Sequence, residues 1–116
     1  MSTRLEQIDG GNWRDFLQAP VAVLMLGKSD CAACQAWTEE LEHFLANDTE
    51  WTDVRFGKMI LDKGGLFEFK KVSPWLAELD TLPFNQIYRG GERWKGFAGS
   101  GVERLVSRLQ SLRESE

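Results

Sequence analysis

Apolar positions recur along this chain in two rhythms, and each change of rhythm marks a new element. In "GGNWRDFLQ" the residues Trp13, Phe16 and Leu17 share one helical face, with Asn12 as the expected N-cap and Asp15 in the first turn. "PVAVLMLG" follows with no polar alternation, as a strand covered on both faces does. Ala33, Trp37, Leu41, Phe44 and Leu45 then return at helical spacing, with Glu39, Glu40 and Glu42 on the opposite side. That helix is expected to end near Asn47. "DVRFGKMILD" reads as a second buried strand from about Val54 to Leu61, broken by "KGG" at Lys63–Gly65. "LFEFKKVSPWLAEL" is helical material interrupted at Pro74, which suits the first position of a turn capped by Ser73. "PFNQIYRGGERWKGF" predicts a hairpin, because Gly90-Gly91 supplies the positive φ that a tight turn needs. Ser100 and Glu103 form an S-x-x-E capping box ahead of an apolar stripe at Val102, Leu105, Val106, Leu109 and Leu112. The order α, β, α, β, α, β, β, α predicts an α/β protein with a mixed sheet between helices.

At 116 residues the chain is long enough for one core and too short for two, so residues 1–116 are read as a single domain. No internal repeat or low-complexity segment interrupts it. The formal net charge is -4, and Lys and Arg are scattered, which argues against a nucleic acid or an anionic membrane as partner. The longest apolar run, "APVAVLML" (Ala19–Leu26), falls well short of the ~20 residues that span a bilayer. "MSTRLEQIDGG" has no apolar signal region, so with Met1 as the natural start the expected location is cytoplasmic. The expected state is a monomer. Two cysteines in a reducing compartment suggest a reactive or metal-binding pair rather than a permanent staple.

Those two cysteines lie in "GKSDCAACQAW", where an apolar strand ends and a helical pattern begins. Cys31 and Cys34, at i and i+3 on a first helical turn, face the same way and are within reach of a short disulfide. The helix start favours a thiolate, which makes Cys31 the candidate nucleophile and Cys34 the resolving thiol. Asp30 disfavours a second negative charge beside it, yet it is also a candidate N-cap. Two other readings stand beside the redox pair. The cysteines are small enough to be ordinary core residues, or they form half of a metal site. His43, the only histidine, lies about three turns further along the helix, too far to complete a tetrahedral site with them. No metal or cofactor is therefore expected.

With these pieces in place the chain resembles thioredoxin over nearly its whole length. The resemblance rests on "CAAC" opening the second helix, "GKMILD" on the next strand, "TLP" before a hairpin and "YRGGE" at its turn. It implies the thioredoxin fold: a central mixed sheet of four to five strands with helices on both faces. It also implies a cis Pro83 facing the cysteines, with the Leu82 backbone presented to a substrate and Asp30 at the rim of that site. Several positions depart from the family pattern. Asp30 replaces a tryptophan, Ala32-Ala33 replaces Gly-Pro, and Met25 stands where thioredoxin has a buried aspartate that aids proton transfer. Lys58 matches the family lysine and is a candidate for tuning the thiol pKa, beside the plainer reading of a strand-end lysine reaching water. The segment between Lys58 and Pro83 is longer than in thioredoxin, and within it Trp75 is a candidate partner-surface residue.

The resemblance implies a protein thiol–disulfide oxidoreductase acting on a disulfide-containing protein, with electrons from a reductase or another dithiol. Two alternatives remain open at this level. One is a glutaredoxin-like, glutathione-linked reductase, favoured by Lys28 and by Thr81-Leu82-Pro83. The other is a thioredoxin-fold redox sensor or adaptor without turnover.

Overall fold

The unbroken apolar run becomes the central strand of a five-stranded sheet in the computed structural model, which describes residues 4–115. Strand β1 is Leu5–Ile8, β2 Val21–Gly27, β3 Arg55–Ile60, β4 Phe84–Arg89 and β5 Glu92–Ala98. Their order across the sheet is β1-β3-β2-β4-β5. β1, β3 and β2 run parallel, whereas β4 pairs antiparallel with both β2 and β5. The sheet is mixed, and helices cover both faces.

Side-chain alternation along β2 divides the interior into two cores. Val23 and Met25 face a cluster with Cys34, Trp37 and Leu41 of helix α2 (Ala32–Asn47) and Leu105 and Leu109 of helix α4 (Val102–Glu114). Ala22, Leu24 and Leu26 face the other cluster. There they meet Trp13 and Phe16 of helix α1 (Trp13–Phe16) and Phe69 of helix α3 (Phe67–Lys71). Both sides of β2 are therefore apolar, which is why the sequence showed no alternation there. A 3-10 turn, Pro74–Glu78, follows α3. The helical stretch read as one interrupted unit is thus two short pieces hinged around Ser73 and Pro74.

The structure corrects the sequence reading at several points. β1 was not expected. Its Leu5 packs into one core and its Ile8 into the other, so four residues display neither period. The predicted capping box does not form. α4 begins at Gly101, whose φ of 138° leaves Ser100 outside the helix and without a side-chain cap bond. Arg104 serves the bend instead, its guanidinium donating to the Ala98 carbonyl at 2.6 Å and the Ser100 carbonyl at 2.8 Å. Ser73 precedes the 3-10 turn without a side-chain cap bond. Asn12 stands at the start of α1, but its side chain turns back and accepts from the Asp9 amide at 2.7 Å. Trp13, Trp37 and Trp51 are buried and Trp75 and Trp94 half-buried. Among the described residues no helix is long and apolar enough to cross a membrane.

Tyr88, on β4, is the only tyrosine of the chain and sits buried in the α1–α3 core. Burial pushes its phenol up to about 12, partly offset by the nearby Arg93 charge. A phenol whose folded pKa lies above its unfolded value of ~10 stabilises the fold fully below that pH and loses the contribution between the two values. Tyrosinate absorbance of the folded protein is expected to titrate near 12, with unfolding free energy falling as the pH rises from ~10. A midpoint at the unperturbed value in a still-folded chain would contradict this burial.

Candidate active site

β2 ends at Gly27, and the next three residues carry the chain over to the cysteines. Ser29 fastens this loop to the end of β3. Its amide donates to Asp62 Oδ1 at 3.1 Å and its hydroxyl to Asp62 Oδ2. Those two bonds, aided by the Lys28 charge, hold the Asp62 carboxyl below the usual range. Leu61 donates to the Gly27 carbonyl at 2.8 Å, closing the same corner from the other side.

Cys31 and Cys34 form a disulfide with their Cα atoms 5.2 Å apart. The helix does not start at Asp30, which is exposed and makes no cap. The N-cap is Cys31 itself, with extended backbone, and its sulfur accepts from the Cys34 amide at 3.1 Å. A small, polarisable sulfur fills the capping role because the disulfide already fixes it over the open helix end. On reduction the same amide and the helix dipole face the Cys31 sulfur, an arrangement that favours its thiolate.

Exposure divides the pair. Cys31 is half-buried, whereas Cys34 is 1% exposed within the α2–α4 core. Gly27 permits this depth, since a Cβ there would lie 3.1 Å from the Cys34 sulfur. Met25, fully buried, belongs to the same cluster. Lys58 lies beside Met25 across the β2–β3 ladder, half-buried. It has no ion pair among the described residues.

Cys31, Asp30 and Leu82 line one depression of about 490 Å³, together with Leu61, Leu79 and Asp80. The Leu82–Pro83 peptide bond is cis. Pro83 is buried beneath the rim, its carbonyl accepting from the Gly99 amide at 2.7 Å. The structure thus gathers three of the residues singled out in the sequence, Asp30, Cys31 and Leu82, around one opening, with Pro83 next to Leu82 in the chain and Cys34 bonded to Cys31. Lys58 does not line it. Among the described residues no group of three or more His, Cys, Asp or Glu is placed to hold a metal ion.

Sequence reasoning missed Asn85. This side chain, 1% exposed on β4, accepts from the Trp37 indole at 2.7 Å and donates to the carbonyls of Phe97 at 3.3 Å and Gly99 at 2.9 Å. It joins the helix of the cysteines to the strand after Pro83. The one available signal was a pair of polar residues, Asn85 and Gln86, within a strand whose burial pattern is otherwise that of the core.

No protein-family model matches the chain, and no curated protein matches it by sequence. Solved structures do. Thioredoxin f from spinach chloroplast (long form) superposes with a TM-score of 0.76 at 16% identity, over 94% of this chain and 86% of that one. Thioredoxin f2 from Chlamydomonas reinhardtii gives 0.72 at 23% identity, over 92% and 94%. A chain of the complex of ferredoxin:thioredoxin reductase with thioredoxin f2 gives 0.74 at 14% identity, over 97% and 99%. The chain has the thioredoxin fold. On that fold the Cys31–Cys34 disulfide at the start of α2 forms a CxxC-type site.

Within this thioredoxin fold, Asn85→Ala strips the Trp37 indole of its buried acceptor and is expected to cost about 2–3 kcal/mol in urea unfolding. A double-mutant cycle with Trp37→Phe is expected to show a coupling of at least ~0.5 kcal/mol. Additive single effects would mean that the bond contributes nothing.

Proposed function

We propose that this protein is a thiol–disulfide oxidoreductase whose catalytic groups are Cys31 and Cys34. The observation that carries the reading is the division of the pair at a helix start, one sulfur half-exposed in a depression and the other buried behind it. In the reduced protein the Cys31 thiolate attacks one sulfur of a substrate disulfide. The substrate S–S bond breaks, a mixed disulfide forms, and the second substrate sulfur leaves as a thiolate that takes up a proton. Cys34 then loses its proton and attacks the Cys31 sulfur, releasing the first substrate sulfur as a thiol. Two electrons have passed to the substrate, and the Cys31–Cys34 disulfide remains. The cis Leu82–Pro83 bond and the Leu82 backbone form the rim against which the mixed disulfide rests.

The cycle needs a dithiol donor, and a reductase is the fitting class. The likeness to thioredoxin f2, solved in complex with ferredoxin:thioredoxin reductase, supports a partner of this kind. Lys58 carries the pKa-tuning role in this reading, through its place beside Met25 under the cysteine helix.

One observation favours a second reading, a redox sensor that forms its disulfide without fast turnover. The buried position beside Cys34 holds Met25, which cannot accept the proton Cys34 must lose.

Insulin-disulfide reduction with dithiothreitol as donor separates the two. Turnover above the dithiothreitol background is expected for the wild type, with Cys31→Ser falling to that background. Cys34→Ser is expected to accumulate a mixed disulfide visible as a mass adduct. A protein that forms its disulfide but reduces no insulin is a sensor, and one whose Cys34→Ser form traps no substrate is no oxidoreductase.

A further inference from the structure

The depression at Cys31 does not end at Leu79. A second depression of about 510 Å³ shares Lys28, Leu61 and Leu76 with it and continues over Pro74 and Ala77. Its far wall is built by the lengthened segment between β3 and β4. That segment also carries, at Phe67 and Val72, the large apolar side chains left well exposed among the described residues.

The wall is held in place from behind. Arg93 stacks on the Trp75 ring, its guanidinium carbon 3.9 Å from the centroid, and donates through Nε to Gln86 Oε1 at 3.1 Å. Gln86 is itself buried, its amide donating to the carbonyls of Ile87 at 2.9 Å and Lys95 at 3.2 Å. The 3-10 turn is therefore clamped to the β4–β5 hairpin, and the apolar floor at Leu76 and Ala77 is formed before any partner arrives.

Charge is distributed unevenly along the trough. Next to Cys31 stand two exposed carboxylates, Asp30 and Asp80, and neither has an ion-pair partner among the described residues. Lys28 lines both depressions and leaves the cysteine end with two carboxylates against one ammonium, while Lys70 and Asp62 balance each other at the end with Pro74, Leu76 and Ala77. The end at the cysteine thus favours a cation, and the Leu76–Ala77 end favours an apolar side chain.

Resting on the thiol–disulfide reading above, we propose that this trough selects the protein substrate. The occupant is an extended polypeptide strand carrying the half-cystine, with a cationic residue beside the cysteine against Asp30 and Asp80. A bulky apolar side chain further along fills the depression at Pro74, Leu76 and Ala77. Asp80 and Ala77 are specificity-determining residues; Trp75, Gln86 and Arg93 are positioning residues for the wall.

The test uses short cysteine peptides presented as mixed disulfides with thionitrobenzoate, whose release reports the rate, with hydroxyethyl disulfide as an uncharged small substrate. A peptide set places Arg or Glu beside the cysteine and Leu or Ser at each of the next few positions on either side. The Arg/Leu peptide is expected to react at least about fivefold faster than its Glu and Ser counterparts. Asp80→Lys is expected to reverse the Arg-over-Glu preference, and Ala77→Glu to lower the ratio of Leu-peptide to hydroxyethyl disulfide rates. Equal rates across the peptide set with the wild type would overturn the trough as a selector while leaving the exchange chemistry intact. No reaction with hydroxyethyl disulfide or any peptide would overturn the exchange reading, and this assignment with it. A dimer that dissociates on Ala77→Glu would show a second copy of the chain covering the trough, and would also overturn the assignment.

Discussion

The bond between the Trp37 indole and Asn85 sets where everything else in the site can be. A buried indole N–H must find an acceptor or cost about 1–3 kcal/mol, and here the acceptor is held by two further bonds to the carbonyls of Phe97 and Gly99. Trp37 lies one helical turn beyond Cys34, so the bond fixes both the rotation and the height of α2 over the sheet. Asn85 lies two residues beyond Pro83, near the start of β4. The same few atoms thus determine the position of the cysteine turn and of the Leu82–Pro83 rim. Among the described residues no buried side-chain N or O atom is left without a partner, so the polar core is fully satisfied and admits little slack.

On that frame, the chemistry of the site depends on what surrounds each sulfur. Cys31 caps the helix and receives an amide, which favours its anion. Cys34 lies among hydrocarbon with Met25 and Trp37, which favours its neutral thiol. In the proposed exchange this asymmetry assigns attack to Cys31 and resolution to Cys34. It also leaves the second step short of a proton acceptor in the core. In that reading Lys58, paired with Met25 across the β2–β3 ladder, is a titratable side chain of the neighbouring strand.

How much of this was legible in the sequence follows from where the information sits. β2, α2 and the hairpin were readable because each carries a long, consistent period: Val21–Leu26 buried on both faces, Trp37, Leu41 and Leu45 on one stripe, Gly90-Gly91 at the turn. β1 was not, because Leu5 and Ile8 serve opposite cores within four residues. The capping expectations at Asp30 and Ser100 failed for a common reason. Propensity identifies a residue able to cap, but the backbone decides which one stands at the helix mouth. Here the extended backbone of Cys31 puts the cysteine there, and the positive φ of Gly101 puts the glycine there. The cysteines, Leu82 and Pro83 were found from a motif and a resemblance. Asn85 was hidden, since a polar residue in a mixed strand has no meaning until its partner, 48 residues away, is known.

The trough was the least legible feature, and for a physical rather than a statistical reason. Lys28 comes from the β2–α2 connection and Leu61, Leu76 and Leu82 from well-separated points of the β3–β4 segment, and none of them carries a period that marks a shared surface. They meet because parallel β2 and β3 end at the same edge of the sheet, while the chain returning to β4 must cross that edge. The crossing segment folds into α3 and the 3-10 turn and packs Leu66 and Phe69 into the core. Its remaining apolar side chains then stand beside the reactive sulfur. Changes in this connection therefore leave the cysteine turn and the Leu82–Pro83 rim in place while altering the trough beside them. The two can vary independently, because the Trp37–Asn85 bond secures the first and the Arg93–Trp75 stack the second.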